Sequence, residues 1–160
     1  MMNSQALNTR RIFEHSARLR DKLVYGLEFL LDAQASDTTR ALVAYTLSRS
    51  VRDDGAGTRL FDDDQTHNLS FAANHELGRG WLAGARFRYV TGNPYSSVQG
   101  AVYDSSTDTY RPLYGELNDS RNPAFHQLDL RIEKLWDLDA LDLSAYLEVM
   151  NVYNRANEES

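Results

Sequence analysis

The chain has 160 residues, a formal net charge of −6 and no cysteine. The acidic balance argues against a nucleic-acid-binding protein, which would carry a basic face, and the lack of cysteine excludes disulfides and thiolate metal sites. No apolar run approaches the roughly 18 residues of a membrane-spanning helix, and the mean hydropathy of −0.54 also fits membrane strands that alternate apolar and polar residues.

The predicted elements are nearly all strands, because apolar and polar residues alternate with period two along most of the chain. Met1–Asp21 precedes them as a polar segment, for which a short helix and disorder both stay open. The alternating segments are Lys22–Ala33, Thr38–Val51, Thr66–Leu77, Trp81–Thr91, Phe125–Trp136 and Ala140–Tyr153. The sequence therefore predicts an all-β chain, an antiparallel meander of about six strands.

The connections between these strands are sorted by length. Short turns are predicted at Gln34–Asp37, Gly78–Gly80 and Asp137–Asp139, where glycine and aspartate favour tight turns. Long loops are predicted at Arg52–Gln65 and Gly92–Ala124. In a meander the short turns share one end and the long loops the other, as they do in bacterial outer-membrane barrels.

Aromatic residues on the apolar side of the strands gather at its two ends. Trp81 and Trp136 flank the short turns, whereas Tyr25, Tyr89 and Tyr153 lie towards the long loops. Amphipathic rings prefer the headgroup level of a bilayer, so these residues predict two aromatic belts and an apolar face turned to lipid. The alternative is a small lipocalin-like barrel with the apolar face inward, which would bind an apolar ligand.

Six strings of the sequence resemble, in order and spacing, the C-terminal barrel of TonB-dependent outer-membrane receptors. They are VYGLE at Val24–Glu28, AYTLSRS at Ala44–Ser50, FD with DQTH at Phe61–His67, FRYVTGNPY at Phe87–Tyr95, FHQLDLR at Phe125–Arg131 and EVMNVYN at Glu148–Asn154. The resemblance covers residues 22–157; residues 1–21 lie outside it and residues 158–160 form a tail. Because a signal peptide, the plug domain and the closing strands are not recognised, we expect a fragment of the barrel domain.

The resemblance implies a receptor in the cell outer membrane that takes up a scarce nutrient, of the siderophore, cobalamin, haem or glycan type. Expected partners are outer-membrane lipid, the plug, the remaining strands of a barrel of about 22 and, indirectly, the TonB energy-coupling complex. The sequence contains no nucleophile elbow, zinc motif or phosphate-binding loop. Neither an enzyme nor a resident cofactor nor a nucleic-acid partner is therefore expected.

Charged residues are predicted to share the polar face of the two strands that the longer loop joins. Such a cluster forms either a charged lumen wall or a set of mutual ion pairs, and we favour the ion pairs. The residues, taken together as lumen-facing charges, are Arg86, Arg88, Asp129, Arg131 and Glu133.

The longer loop contains signals for a small hairpin, with Ala101–Tyr103 and Thr109–Tyr114 around the turn-forming Asp104–Asp108. Its tyrosines are candidate contacts for an external ligand, because their rings stack on a sugar or a siderophore. Packing of the loop against itself is an equally weighted alternative. The residues concerned are Tyr95, Tyr103, Tyr110 and Tyr114.

Five carboxylates of the first long loop are candidate ligands for Ca²⁺, which prefers oxygen ligands. Their spacing, however, matches no known calcium loop. They are Asp53, Asp54, Asp62, Asp63 and Asp64. Acidic loops are usually just solvated, so no metal site is expected. For His67 and His126, which lie near the long loops, contact with a ligand is an open alternative, and interfacial hydrogen bonding is the expected role.

Overall fold

The computed structural model describes residues 8–19, 22–53, 55, 57–139 and 141–157, the first range by its backbone alone. Sequence predictions for residues 1–7, 20–21, 54, 56, 140 and 158–160 lie outside the described residues. The strands are β1 (Asn8–Leu19), β2 (Lys22–Ser36), β3 (Thr39–Asp53), β4 (Thr58–Leu60), β5 (His67–Gly78), β6 (Trp81–Val90), β7 (Pro94–Tyr95), β8 (Val98–Asp104), β9 (Thr109–Tyr114), β10 (Ser120–Arg121), β11 (Phe125–Leu138) and β12 (Leu141–Val149).

One antiparallel sheet organises the molecule. Its strands follow the order β1-β2-β3-β5-β6-β11-β12, and β4 adds a short pairing to β3. Two small sheets, β7 with β10 and β8 with β9, stand apart from it. The prediction of an all-β antiparallel meander is therefore confirmed, but the described strands do not close into a barrel, and β1 and β12 each have one neighbour.

The N-terminal prediction is wrong for Asn8–Leu19. Instead of a helix or disorder, these residues form β1, which pairs with β2 from Asn8 opposite Asp32 to Leu19 opposite Lys22. The pairing satisfies backbone groups along the outer edge of β2, which would otherwise lack partners. The pattern of apolar and polar residues does not predict this pairing, because the hydrogen bonds of the ladder form between backbone groups.

The sixth predicted strand is too long, because β12 ends at Val149 rather than at Tyr153. Asn151 and Asn154 have φ of 52° and 50°, in the left-handed region that asparagine tolerates and an extended strand does not. The two long loops, in contrast, contain more strand structure than the alternation of residues indicates. The hairpin of β8 and β9 is confirmed, whereas β4 and the β7–β10 pair were not predicted.

The register gives the sheet two distinct faces from β2 to β12, because directly paired residues of an antiparallel sheet point to the same side. Phe71 on β5 pairs with Phe87 on β6, which pairs with Leu128 on β11. We call their side the apolar face. Arg86 on β6 pairs with Asp129 on β11 on the opposite side, the polar face. The alternation seen in each strand therefore continues across its neighbours.

No described part of the chain forms a second layer over the apolar face. Among the side chains that the structure describes, no hydrophobic one is buried, and Leu130 and Leu147 on this face are 43% and 66% exposed. The buried polar side chains are those of Ser50, Asp64 and Asp129. A sheet normally buries its apolar face against another element, so this face requires a cover that the described residues do not supply.

Candidate functional site

The charged residues predicted to share one face do share it. In the pair at its centre, Asp129 is buried and Arg86 is exposed. Arg86 donates to Asp129 Oδ2 from Nε at 3.0 Å and from Nη2 at 2.8 Å. Asp129 is 3% exposed and also accepts the Gln127 side chain at 2.6 Å and the Asn151 N–H at 2.9 Å. These bonds compensate the cost of burying a charged carboxylate.

The other three residues predicted as lumen-facing charges also have side-chain partners. Arg131 donates to Glu133 Oε2 at 2.9 Å, and its guanidinium carbon lies 3.8 Å from the centre of the Tyr146 ring. Arg88 donates to Gln127 Oε1 at 3.2 Å. Mutual ion pairing, the interpretation favoured from the sequence, is thus found for Arg86 with Asp129 and for Arg131 with Glu133, whereas Arg88 contacts an amide oxygen. A shallow cavity of about 310 Å³ is lined by Asn74, Leu82, Gly84, Arg131 and Glu133.

Two tryptophans and a lysine meet on the apolar face beside the short turns. Trp81 is directly opposite Lys134 in the register, and Trp136 follows on the same face of β11. The Lys134 Nζ lies 5.5 Å from the centre of the Trp81 ring and 5.8 Å from that of Trp136. The rings are 43% and 40% exposed. We call these residues the tryptophan–lysine cluster.

The turn between β5 and β6 holds this lysine in place. Lys134 Nζ donates to the carbonyl oxygen of Arg79, and the Leu135 N–H donates to that of Gly80 at 2.7 Å. Gly80 has φ of 75°, and a Cβ there would collide with the Leu135 carbonyl oxygen. Glycine therefore allows the turn to lie against β11, which brings the Arg79 carbonyl to the ammonium group.

The opposite end of the apolar face carries tyrosine–histidine pairs. The Tyr45 hydroxyl shares a 2.8 Å hydrogen bond with His67 Nδ1, and the Tyr153 hydroxyl shares one of the same length with His126 Nδ1. Both histidines thus form hydrogen bonds, as predicted, and the position of these bonds at a membrane interface stays a prediction. Tyr89 is directly opposite His126 in the register. Tyr153 lies beyond the end of β12, yet its hydroxyl still reaches this end of the face.

Tyr25 completes this end of the apolar face. It lies three residues into β2 and pairs with Arg49 on β3, next to the first long loop. Its side chain is 48% exposed. Of the residues predicted to form two aromatic belts, the tryptophans thus lie at the short-turn end and the tyrosines at the long-loop end.

The residues after β12 fold back along the edge of β11. The Asn157 side chain accepts from the His126 N–H and donates to the His126 carbonyl, both at 3.1 Å. The Val152 N–H donates to the Leu128 carbonyl at 2.8 Å. Arg155 donates to the Ala124 carbonyl at 3.1 Å. This segment takes over the pairing of β11 where β12 stops.

A buried ion pair ties the two long loops together at the long-loop end. Arg121 Nη2 donates to Asp64 Oδ2, and its Nη1 donates to the carbonyls of Asp64 and Gly92 at 2.7 and 3.0 Å. Asp64 is 1% exposed and also accepts the Ser50 N–H at 2.5 Å and the Thr66 hydroxyl at 3.1 Å. We call this group the rim network.

Neighbouring contacts extend the rim network between the same two loops. Gln65 Nε2 donates to Asn93 Oδ1 at 3.2 Å. Asn118 Nδ2 donates to the Leu60 carbonyl at 2.8 Å and to Asp62 Oδ1 at 2.7 Å. The segment 61–66 is therefore hydrogen-bonded on one side to β3 and on the other to the second long loop.

The rim network also explains the ionisation of Asp64. Burial raises the pKa of this carboxyl, but the hydrogen bonds from Ser50, Arg121 and Thr66 and the charge of Arg121 lower it by more, so the pKa lies below its ordinary value. Among the acids weighed for Ca²⁺, Asp64 is thus committed to Arg121. In the described ranges no group of three or more His, Asp or Glu side chains is placed to hold a metal ion.

The loop tyrosines fall into two groups. Tyr95 lies in β7 and pairs with Ser120, near the rim network. Tyr103 and Tyr110 are cross-strand partners in the β8–β9 hairpin, with ring centres 5.3 Å apart, and Tyr114 pairs with Val98 on the same side of it. Tyr110 and Tyr114 are 72% and 64% exposed. The hairpin therefore presents an open aromatic surface, and Tyr103 is held by a 2.6 Å hydrogen bond to Asp108.

Sequence reasoning did not single out Arg121 or Lys134. Arg121 gave no local signal, because its partner Asp64 lies on another loop. For Lys134 a local signal does exist. Among every second residue from His126 to Leu138, the series on the apolar face, Lys134 is the only formally charged one.

Compared with known proteins, the sequence matches no family model and no curated protein, and no solved structure matches the fold. In the part of the chain that the structure describes, no helix is long and apolar enough to cross a membrane.

Proposed function

We propose that this chain forms part of the wall of an outer-membrane β-barrel, in a receptor of the TonB-dependent type that takes up a scarce nutrient. The observation that carries the proposal is the uncovered apolar face, with the tryptophan–lysine cluster at one end and the tyrosine–histidine pairs at the other. Lipid tails supply the missing cover for such a face, and amphipathic side chains at both ends match the two headgroup levels.

The dimensions and charges of the sheet support the same proposal. The strands β2, β3 and β11 have 15, 15 and 14 residues, enough for a tilted crossing of about 9–11 residues with extensions beyond the bilayer. On the polar face, paired charges such as Arg86 and Asp129 suit a water-filled or plugged lumen. The outer-membrane location and the transport role are inferred from these features together with the sequence resemblance.

The partners follow from the open edges of the sheet. In a bilayer, unpaired backbone groups along β1 and β12 find no water, so further strands are required to close the wall. Those strands, a plug in the lumen and the TonB energy-coupling complex are the partners that this function implies. The rim network braces the two long loops, and the exposed tyrosines of the β8–β9 hairpin are the candidate contacts for a siderophore, cobalamin, haem or glycan ligand.

The alternative, a lipocalin-like protein with an apolar ligand, requires the apolar face to line a closed interior. The exposure of Leu130 and Leu147 and the open path of the sheet favour the membrane proposal instead.

Cysteine labelling tests the location and the topology, and the absence of native cysteine makes the chain a clean background. Ser105→Cys places a thiol in the exposed turn of the β8–β9 hairpin, and Asp37→Cys places one in the turn between β2 and β3. A membrane-impermeant maleimide added to intact cells that display the whole barrel should label position 105 and spare position 37 until the outer membrane is permeabilised. Labelling of position 37 alone would invert the topology, and equal labelling of both in intact cells would rule out a membrane wall.

A further inference from the structure

We propose that the tryptophan–lysine cluster of Trp81, Lys134 and Trp136 binds the phosphate of an anionic phospholipid in the leaflet at the short-turn end. This inference rests on the proposed function, because it requires the apolar face to lie in a bilayer. It adds a specific lipid site to what would otherwise be a general hydrophobic contact.

The first argument is the way in which the cation is held. An ammonium group next to a face of aliphatic side chains would ordinarily point into water. Here Lys134 Nζ lies 5.5 and 5.8 Å from the centres of two exposed indole rings, and one of its hydrogens is used by the Arg79 carbonyl. The group keeps further donors free for an acceptor arriving from the lipid side.

The second argument is the charge around it. The apolar-face positions of β5, β6, β11 and β12 contain no carboxylate. In the described part of the chain, neither Lys134 nor Arg79 takes part in an ion pair. On the same rim, Asp137 and Asp142 are paired in the register on the polar face, and Asp139 lies in the turn between β11 and β12. Lys134 of the cluster and the neighbouring Arg79 therefore have no ion-pair partner among the described residues on the side where lipid phosphate would lie.

The third argument is the fit of the chemistry. Indole rings settle at the headgroup level, and the ammonium between them is a compact charge with several donors, which suits a phosphate. Arg79, an exposed residue of the adjacent turn whose carbonyl oxygen accepts from Lys134, adds a second positive charge to this part of the chain. A zwitterionic lipid would offer the same phosphate with its own cation beside it, so a net anionic lipid is the better match.

The composition of the chain makes the test selective. The sequence contains two tryptophans, and both belong to the cluster, so intrinsic tryptophan emission reports on this site alone. It also contains two lysines. Lys22 lies at the other end of the sheet, with its Nζ 3.6 Å from the centre of the Phe61 ring. Lys22→Gln is therefore a matched control for Lys134→Gln, with the same change of charge and shape.

The full chain, diluted from urea, is titrated with vesicles of phosphatidylcholine alone and of phosphatidylcholine with phosphatidylglycerol. We expect a blue shift of the emission in both, at about fivefold lower lipid concentration with phosphatidylglycerol. Lys134→Gln should abolish this preference, and Lys22→Gln should keep it. Equal loss in both variants, or an unchanged preference in Lys134→Gln, overturns the lipid site while the shift in neutral vesicles still supports the membrane proposal. No shift in either vesicle overturns both.

Discussion

At the scale of single residues, the side chains that the structure buries most deeply include carboxylates. Asp64 and Asp129 are 1% and 3% exposed, each with an arginine and further donors. Burying a charge is unfavourable unless it is paired and hydrogen-bonded. Both carboxylates lie where strands or loops must be joined, at the rim network and at the end of β12. They therefore fix the positions of neighbouring segments in a sheet that lacks an apolar core among its described residues.

The first prediction concerns Asp64. Asp64→Asn keeps the shape of the side chain but removes the charge that faces Arg121, and breaking a buried pair in this way should cost roughly 3 kcal/mol of local stability. The N–H of Ser50 donates to Asp64, so hydrogen exchange at Ser50 should become about a hundredfold faster. Asp63→Asn, at an exposed position next to it, should leave this rate unchanged.

The pH dependence of the rim network follows from the same carboxyl. Its pKa is lower in the folded chain than the ordinary value of 3.8. The contribution to stability is therefore complete above that value and is lost as the pH falls through the folded pKa. As the pH falls below 3.8 and through the lower folded pKa, the native chain should approach Asp64→Asn in relative protection at Ser50. Equal protection of the two chains at neutral pH would contradict the role assigned to this pair.

At the scale of elements, the strands were predictable and the small connections were not. Alternation identified β2, β3, β5, β6 and β11 within a few residues, because one side of each strand is apolar. The short strands β4, β7 and β10 were not predicted, because they are held by backbone pairing and by side chains distant in sequence: Asn118 contacts β4, and Arg121 contacts the loop segments beside β7 and β10. No local pattern shows that Asp64 meets a residue from the other loop.

The second prediction compares neighbouring residues of β11 that point to opposite faces. Leu130→Arg places a charge on the apolar face near the middle of β11, and it should make membrane insertion less favourable by about 2–4 kcal/mol, the cost of such a charge at the bilayer midplane. Arg131→Leu removes an exposed partner of Glu133 and should cost only about 0.2–1 kcal/mol. The urea dependence of folding of the whole barrel into vesicles, compared with and without each substitution, measures both values. Equal costs, or the reverse order, would show that the two faces are assigned wrongly.

At the scale of the whole molecule, the sheet is incomplete as a water-soluble object. Its apolar face exposes Leu23, Leu130, Ile132 and Leu147, and each of its outer strands has one neighbour in the described structure. Exposed apolar surface and unpaired strand edges are both surfaces on which chains associate. The same features are consistent with a membrane wall, where lipid covers the face and further strands pair with the edges.

The third prediction therefore concerns the chain by itself in water. Expressed alone and without lipid or detergent, it should show the circular dichroism of β-strands but associate into large particles, because nothing else covers the apolar face and the edges. Detergent or vesicles should suppress this association by covering the face, and Asp64→Asn should not change it, since the rim network lies apart from that surface. Light scattering after gel filtration measures the particle size. A narrow monomer peak in plain buffer, with cooperative thermal unfolding, would contradict the membrane proposal and favour the small ligand-binding barrel.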